Sequence, residues 1–189
     1  MLYLASKSPR RKELLADAGV DFLCLENIIE VVELQHGECL FSELALKNAI
    51  MKAEANIELL VNDEDLLLAS DTVLEFEKHI IGKPENIESA FRMLKRLAGK
   101  THTVATAVAI MSKNRKFESV FIDFADVTFH SVDDNFIKKY VEDIHILDKA
   151  GSYALQESLS QQLIANVTGD NSTVIGLPMV KVLQTLQLC

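Results

Sequence analysis

Lys7, Arg10, Arg11 and Lys12 crowd one short stretch directly behind the apolar residues Leu2–Ala5. Within it Ser8-Pro9 reads as a helix start, because Ser is a good N-cap and Pro loses nothing at the first helical position, where its N–H is not needed. Cations there oppose the helix macrodipole at about 0.3–1 kcal/mol each, while the free N–H groups of the first turn add donors at the same point. A strand running into a cationic helix start is what a phosphate group needs, since main chain and side chains converge on one anion. The alternative is a solvated basic turn that pairs with some of the surplus carboxylates.

Asp71 is the second conspicuous residue. It lies inside Leu66–Phe76, whose opening apolar run has the character of a buried central strand. A carboxylate in such a strand is costly unless paired, hydrogen-bonded or metal-bound. Its chemical uses are as a metal ligand or as the base that activates water; its structural use is at a strand end, bonded to a turn. Lys83 in the stiff Gly82-Lys83-Pro84 loop and Lys149 near Gly151 are either ligand contacts or surface lysines. Lys52 falls in a long helical segment, where snorkelling is the ordinary role. Glu30 and Glu33 sit in a stretch without clear period, as solvated acidic loops do.

Other chemistries are excluded by what is missing. The chain has no GxxxxGK[ST] loop, no GxSxG elbow, no HExxH pairing among its five histidines and no RNP-like aromatic stretch. Gly169-Asp170-Asn171-Ser172 reads as a polar turn.

The elements that must position these residues alternate. A strand over Leu2–Ala5 leads to a helix from Ser8-Pro9 to Gly19, then a strand over Asp21–Leu25. A long helix from Ser42 to about Leu60 buries Leu46, Ala49, Ile50, Ala53 and Ile57 on one face. The strand Leu66–Phe76 turns at Glu77-Lys78 into Ile80-Ile81, and a helix covers Ile87–Leu97. Two long β segments, Thr103–Met111 and Phe117–Phe129, are joined by the turn Ser112–Lys116, and Ser131–Asp134 caps a helix to about Val141. Short segments at Tyr153–Leu155, Leu163–Val167 and Thr173–Ile175 precede a final helix from about Pro178. A mixed α/β or α+β sheet follows.

The 189 residues suit one domain with one sizeable core, and 49% hydrophobic and 25% charged residues are the balance of a soluble globule. A net charge of −9 argues against binding along a nucleic-acid backbone. An anionic ligand must be small and held by locally clustered cations. Cys24, Cys39 and Cys189 form no CxxC pair, as free thiols in a reducing compartment would, with structural burial expected for the first two. No secretory signal and no run of 18 apolar residues is present, so a cytoplasmic protein without a membrane partner is expected.

Taken together, LASKSPRRKELL (Leu4–Leu15), ASDTVL (Ala69–Leu74), GKP (Gly82–Pro84), AFRMLKRLAGKTHTV (Ala90–Val104), DKAGSYALQ (Asp148–Gln156) and GDNSTVIGLP (Gly169–Pro178) resemble the Maf family of nucleotide pyrophosphatases, also called septum-formation inhibitors. The six stretches occur in family order from end to end, so the whole chain, residues 1–189, is covered as a single domain. The resemblance implies a mixed, elongated α/β sheet flanked by helices, with a deep cleft, related to the inosine-triphosphate pyrophosphatases. It implies hydrolysis of a nucleoside triphosphate between the α and β phosphates, with Mg²⁺ or Mn²⁺ required. Asp71 matches the catalytic proton acceptor, and Ser8, Arg10 and Arg11 match the phosphate-contacting motif. Lys52, Lys83 and Lys149 match cleft lysines, and Glu33 matches an acidic residue near the metal shared with Asp71. Arg10, Thr72 and Gln156 fall where the family sets base preference and look like the dTTP/UTP branch. A homodimer is compatible with the resemblance. So are a non-catalytic regulator of septum formation and a pyrophosphatase for a modified or non-pyrimidine nucleotide such as 7-methyl-GTP. The departures, Ile144-His145-Ile146, Ser152, Glu157 and the Asn171-Ser172 region, cluster on the base-recognition side.

Overall fold

The computed structural model describes residues 1–34, 40–143, 146–147 and 149–187. The expected positions Cys39, Cys189, His36, Ile144, His145 and Asp148 lie outside them. Among the described residues seven strands form one mixed sheet: β1 (Leu2–Leu4), β2 (Phe22–Cys24), β3 (Leu66–Phe76), β4 (His79–Ile81), β5 (Thr101–Ser112), β6 (Glu118–Phe129) and β7 (Ile164–Thr168), in the order β2-β1-β3-β5-β6-β7 with β4 attached to β3. β1 pairs in parallel with both β2 and β3, and the remaining pairings are antiparallel. The helices are α1 (Pro9–Asp17), α2 (Phe41–Asn56), α3 (Ile87–Leu97), α4 (Asp134–Asp143), α5 (Ser160–Leu163), α6 (Asn171–Ile175) and α7 (Met179–Leu186).

Strand alternation distributes the core. The odd-numbered positions of β3 and β5, among them Leu67, Ala69, Val73, Ala105, Ala107 and Ala109, pack against Ala45, Ala49 and Ala53 of α2. Small side chains on both layers let the helix lie close to the sheet. The even-numbered face carries two clusters. Leu68, Val108 and Ile110 join Leu15 of α1 and Val182 of α7. Leu74, Val104, Val127 and Phe129 join Leu94 of α3 with Ile137 and Tyr140 of α4. Between the clusters the same face carries Ser70, Thr72 and Thr106, which are polar.

One interruption of the sheet makes room for a site. β1 stays with β3 only as far as the bond from Ala5 N–H to Leu68 C=O (2.8 Å), and β4 joins β3 only from Leu74 onward. Between those points β3 has no strand neighbour on that side among the described residues. A cleft forms at this gap, beyond the carboxyl end of a parallel strand, which is where open α/β sheets place their ligands.

Several local expectations change. The buried face of α2 is Leu44, Ala45, Asn48, Ala49, Ala53 and Asn56, with Leu46 and Ile50 only partly covered. The helix is rotated by the alanine packing so that two asparagines turn inward. Asn171–Ile175 is a helix capped by the Asp170 side chain, which accepts from Ser172 N–H, in place of a plain turn. Tyr153–Leu155 joins no strand, and Cys24 is an exposed free thiol on the edge strand β2.

Candidate active site

The cleft has a volume of about 490 Å³ and is lined by residues from most of the chain, within the size range of small-molecule sites. Ser8, Arg10, Arg11, Glu33, Lys52, Asp71, Thr72, Lys83 and Lys149 all line it. Gln156 does not: it is exposed beyond the rim, and the neighbouring Leu155 forms the wall instead.

Asp71 is 5% exposed, and both its oxygens are engaged. Oδ1 accepts from Lys52 Nζ at 2.6 Å and Oδ2 from the Asn48 amide at 3.0 Å. The Lys52 ammonium is also 2.6 Å from Glu33 Oε1, so one cation bridges two carboxylates. Burial pushes the Glu33 carboxyl up, but the Lys52 hydrogen bond and the charges of Lys52, Lys83 and Arg11 outweigh it and hold Glu33 below its ordinary value.

The segment carrying Glu33 is irregular and depends on two asparagines of α2. Asn56, fully buried, accepts from Ile29 N–H (2.7 Å) and donates to Ile29 C=O (3.0 Å) and Lys52 C=O (2.8 Å). Asn48 accepts from Leu34 N–H at 2.9 Å while donating to Asp71. Asn48, Lys52 and Asn56 stand four residues apart and so share one helix face. The two asparagines escape a reading of apolar periodicity. The repeat of polar residues at spacing four beside an alanine stripe is the signal that could have revealed them.

At the start of α1, Ser8 occupies the N-cap position but its side chain makes no capping bond; its N–H donates to Ser6 Oγ at 3.2 Å. With no acidic residue in the first turn, this end of the helix presents positive potential to the cleft. Arg11 is held on three sides. Nε donates to Gly176 C=O (2.9 Å), and Nη1 and Nη2 donate to Ser6 Oγ and Thr72 Oγ1 (both 3.3 Å). Burial pulls its guanidinium below the ordinary value, against the favourable charges of Asp71 and Glu33. Gly176 has φ +124°, and a Cβ there would sit 3.2 Å from Arg11 Nε and 3.3 Å from Thr72 Oγ1, so a glycine is needed for both conformation and room.

Lys83, exposed, and Lys149, buried, both line the cleft, and Gly151 N–H donating to Gly82 C=O (3.2 Å) ties their two loops together. Beyond them the wall becomes apolar, with Leu74, Val104, Tyr153, Leu155 and Val174. Tyr153 turns its hydroxyl away to His102 Nε2 at 2.8 Å. Burial raises the phenol's pKa and lowers that of His102 to about 4. A cationic end beside an apolar end suits a ligand that joins phosphates to a flat ring. Across the mouth, Lys7 and Glu30 pair at 2.5 Å between exposed side chains.

Asp71 and a basic helix start share one cleft in a mixed sheet, and the chain belongs to the family of Maf-like proteins, whose family model matches residues 1–189. Curated relatives narrow the comparison. The dTTP/UTP pyrophosphatase of Acholeplasma laidlawii (strain PG-8A) is 39% identical over 189 residues, spanning 99% of this chain and 95% of the relative. That of Akkermansia muciniphila is 39% identical over 183 residues, spanning 97% and 93%. That of Bacillus cereus (strain G9842) is 38% identical over 186 residues, spanning 98% and 94%.

Proposed function

We propose that this protein hydrolyses dTTP and UTP to the monophosphate and pyrophosphate. The observation that carries the reading is the convergence of Asp71, Lys52 and Glu33 with Arg10, Arg11, Lys83 and Lys149 on one cleft. The cations neutralise a triphosphate locally in a chain whose net charge of −9 would otherwise repel it. Asp71 takes the proton of the attacking water, whose oxygen forms a bond to the α-phosphorus as the bond to the pyrophosphate oxygen breaks. Lys52 orients that carboxylate through one oxygen, and Asn48 fixes the other.

A divalent metal, Mg²⁺ or Mn²⁺, is part of the proposal. Asp71 and Glu33 are hard oxygen donors, and Mg²⁺ is commonly held by one or two carboxylates together with substrate phosphates. Both line the cleft, and they are the residues that would hold the ion together with the substrate's phosphates. When bound, the ion would offset charge on the departing pyrophosphate. No described helix is long and apolar enough to cross a membrane, and a cytoplasmic location goes with a nucleotide substrate. Arg10 and Thr72 remain the residues proposed to set base preference; the position of Gln156 outside the cleft gives it no part in this reading.

The test is pyrophosphate release from UTP, dTTP, CTP, GTP, dATP and 7-methyl-GTP, each with Mg²⁺, Mn²⁺ or excess chelator. Turnover concentrated in UTP and dTTP and lost with chelator supports the proposal. Turnover on 7-methyl-GTP alone would redirect it, and tight binding without turnover would favour the regulatory alternative.

A further inference from the structure

A chain of hydroxyl groups leads from the cleft into the sheet, and its hydrogen bonds have only one consistent direction. The Thr106 hydroxyl, fully buried, is 2.6 Å from Thr173 C=O. A carbonyl cannot donate, so the single hydroxyl proton of Thr106 is committed there. Thr72 Oγ1 lies 2.9 Å from Thr106 Oγ1. With the Thr106 proton spent, Thr72 must donate to Thr106. Arg11, which can only donate, approaches Thr72 Oγ1 at 3.3 Å from the other side. The order Arg11 → Thr72 → Thr106 → Thr173 C=O is therefore fixed, and Thr72 has no proton to offer to the cleft. Its remaining capacity is one acceptor lone pair, beside a guanidinium that can only donate.

We infer that Thr106 is a positioning residue that sets the hydrogen-bond polarity of Thr72, and through it selects nucleobases whose recognition edge presents an N–H next to a carbonyl. This rests on the proposed pyrophosphatase reading and deepens it. Thr72 borders the apolar end of the cleft, where Leu74, Val104 and Tyr153 suit a flat ring. The imide of uracil or thymine offers an N–H to the Thr72 lone pair and a carbonyl oxygen to Arg10, which lines the same cleft. Cytosine offers a ring nitrogen lone pair in place of that N–H, and two acceptors then face each other without a proton between them. A site of set polarity penalises such a mismatch more than an adaptable one, because the half-buried Thr72 can donate to the ring only by giving up its bond to Thr106. A hydroxyl free to rotate would serve either ring, so the discrimination resides in the commitment of its proton to Thr106.

The experiment compares kcat/KM for UTP and CTP in the wild-type protein and in Thr106→Val, Thr106→Ser and Thr106→Cys. Val keeps the shape and removes the acceptor, freeing the Thr72 proton. The UTP:CTP ratio should fall at least tenfold, mainly by a gain on CTP, while Thr106→Ser keeps the wild-type ratio. Should Thr106→Val not fold, Thr106→Cys, a much weaker acceptor, carries the same comparison. An unchanged ratio in an active Val or Cys variant overturns the inference while leaving the pyrophosphatase reading standing. Equal wild-type rates on UTP and CTP also overturn it. Absence of pyrophosphate release from every nucleotide tested refutes the function itself, and the inference with it.

Discussion

Replacing Asp71 by Asn exchanges one carboxylate oxygen for an amino group at a point where both oxygens accept hydrogen bonds, from Lys52 at 2.6 Å and from Asn48 at 3.0 Å. The amide has a single acceptor atom, so either orientation leaves one donor facing an N–H. A buried donor without a partner costs about 1–3 kcal/mol. Lys52 retains its second carboxylate, Glu33 at 2.6 Å, so its charge is not abandoned. In a chain of this size each kcal/mol lowers the melting temperature by about 2–4 °C, and Asp71→Asn should therefore melt several degrees lower yet remain folded at 25 °C. Activity should fall much further. Loss of a positioned general base costs about 10²–10⁴ in rate, equivalent to about 3–5 kcal/mol of barrier. Pyrophosphate release at saturating UTP, read beside a thermal melt of the same preparation, separates the two effects. A folded Asp71→Asn protein that turns over at the wild-type rate would refute the role of Asp71 as base.

Acid should weaken the fold through His102. Burial lowers its pKa to about 4 from an ordinary 6.5, so across that window the unfolded chain binds a proton that the folded one refuses. Stability then declines as pH falls, by about 3 kcal/mol over the full window; urea midpoints at pH 7 and pH 5 measure it, and His102→Gln should flatten the slope. Asn56→Ala removes three hydrogen bonds that pin Ile29 and the Lys52 carbonyl. It should cost on the order of 3 kcal/mol in chemical denaturation and raise KM more than it lowers kcat. Gly176→Ala forces a side chain into positive φ and against Arg11 and Thr72. A destabilisation of about 1–3 kcal/mol with a higher KM for UTP is expected, seen by melting and steady-state kinetics.

Much of the architecture follows from local pattern. The apolar run and turn residues of β3, the helix Ile87–Leu97, and the strand–basic helix unit at the amino terminus are each visible without a neighbour in view. Gln156 shows where that kind of reading stops. The glutamine of its motif is present, though Ser152 and Glu157 depart from the family pattern. The turn through Ala150–Ser152, with Gly151 at φ +75°, nonetheless delivers Leu155 to the cleft wall and leaves Gln156 outside. The direction of a side chain after such a turn depends on tertiary packing. Asn48 and Asn56 face inward because the alanines beside them draw α2 onto the sheet, a consequence of which surface the helix meets.

What the chain alone determined is the inventory of chemistry: a cation cluster at a helix start, an acid in a buried strand, lysines in stiff loops. Asp71 and Thr72 are adjacent and point to opposite faces of β3, so strand alternation alone would not place both in one cavity, although the family motif assigns both to one site. They meet the same cleft because β1 ends before them and β4 begins after them, leaving the edge of β3 open between. Strand ends are settled by long-range pairing. Only the assembled sheet could decide that this gap falls beside the one acidic residue the strand carries between Leu66 and Leu74.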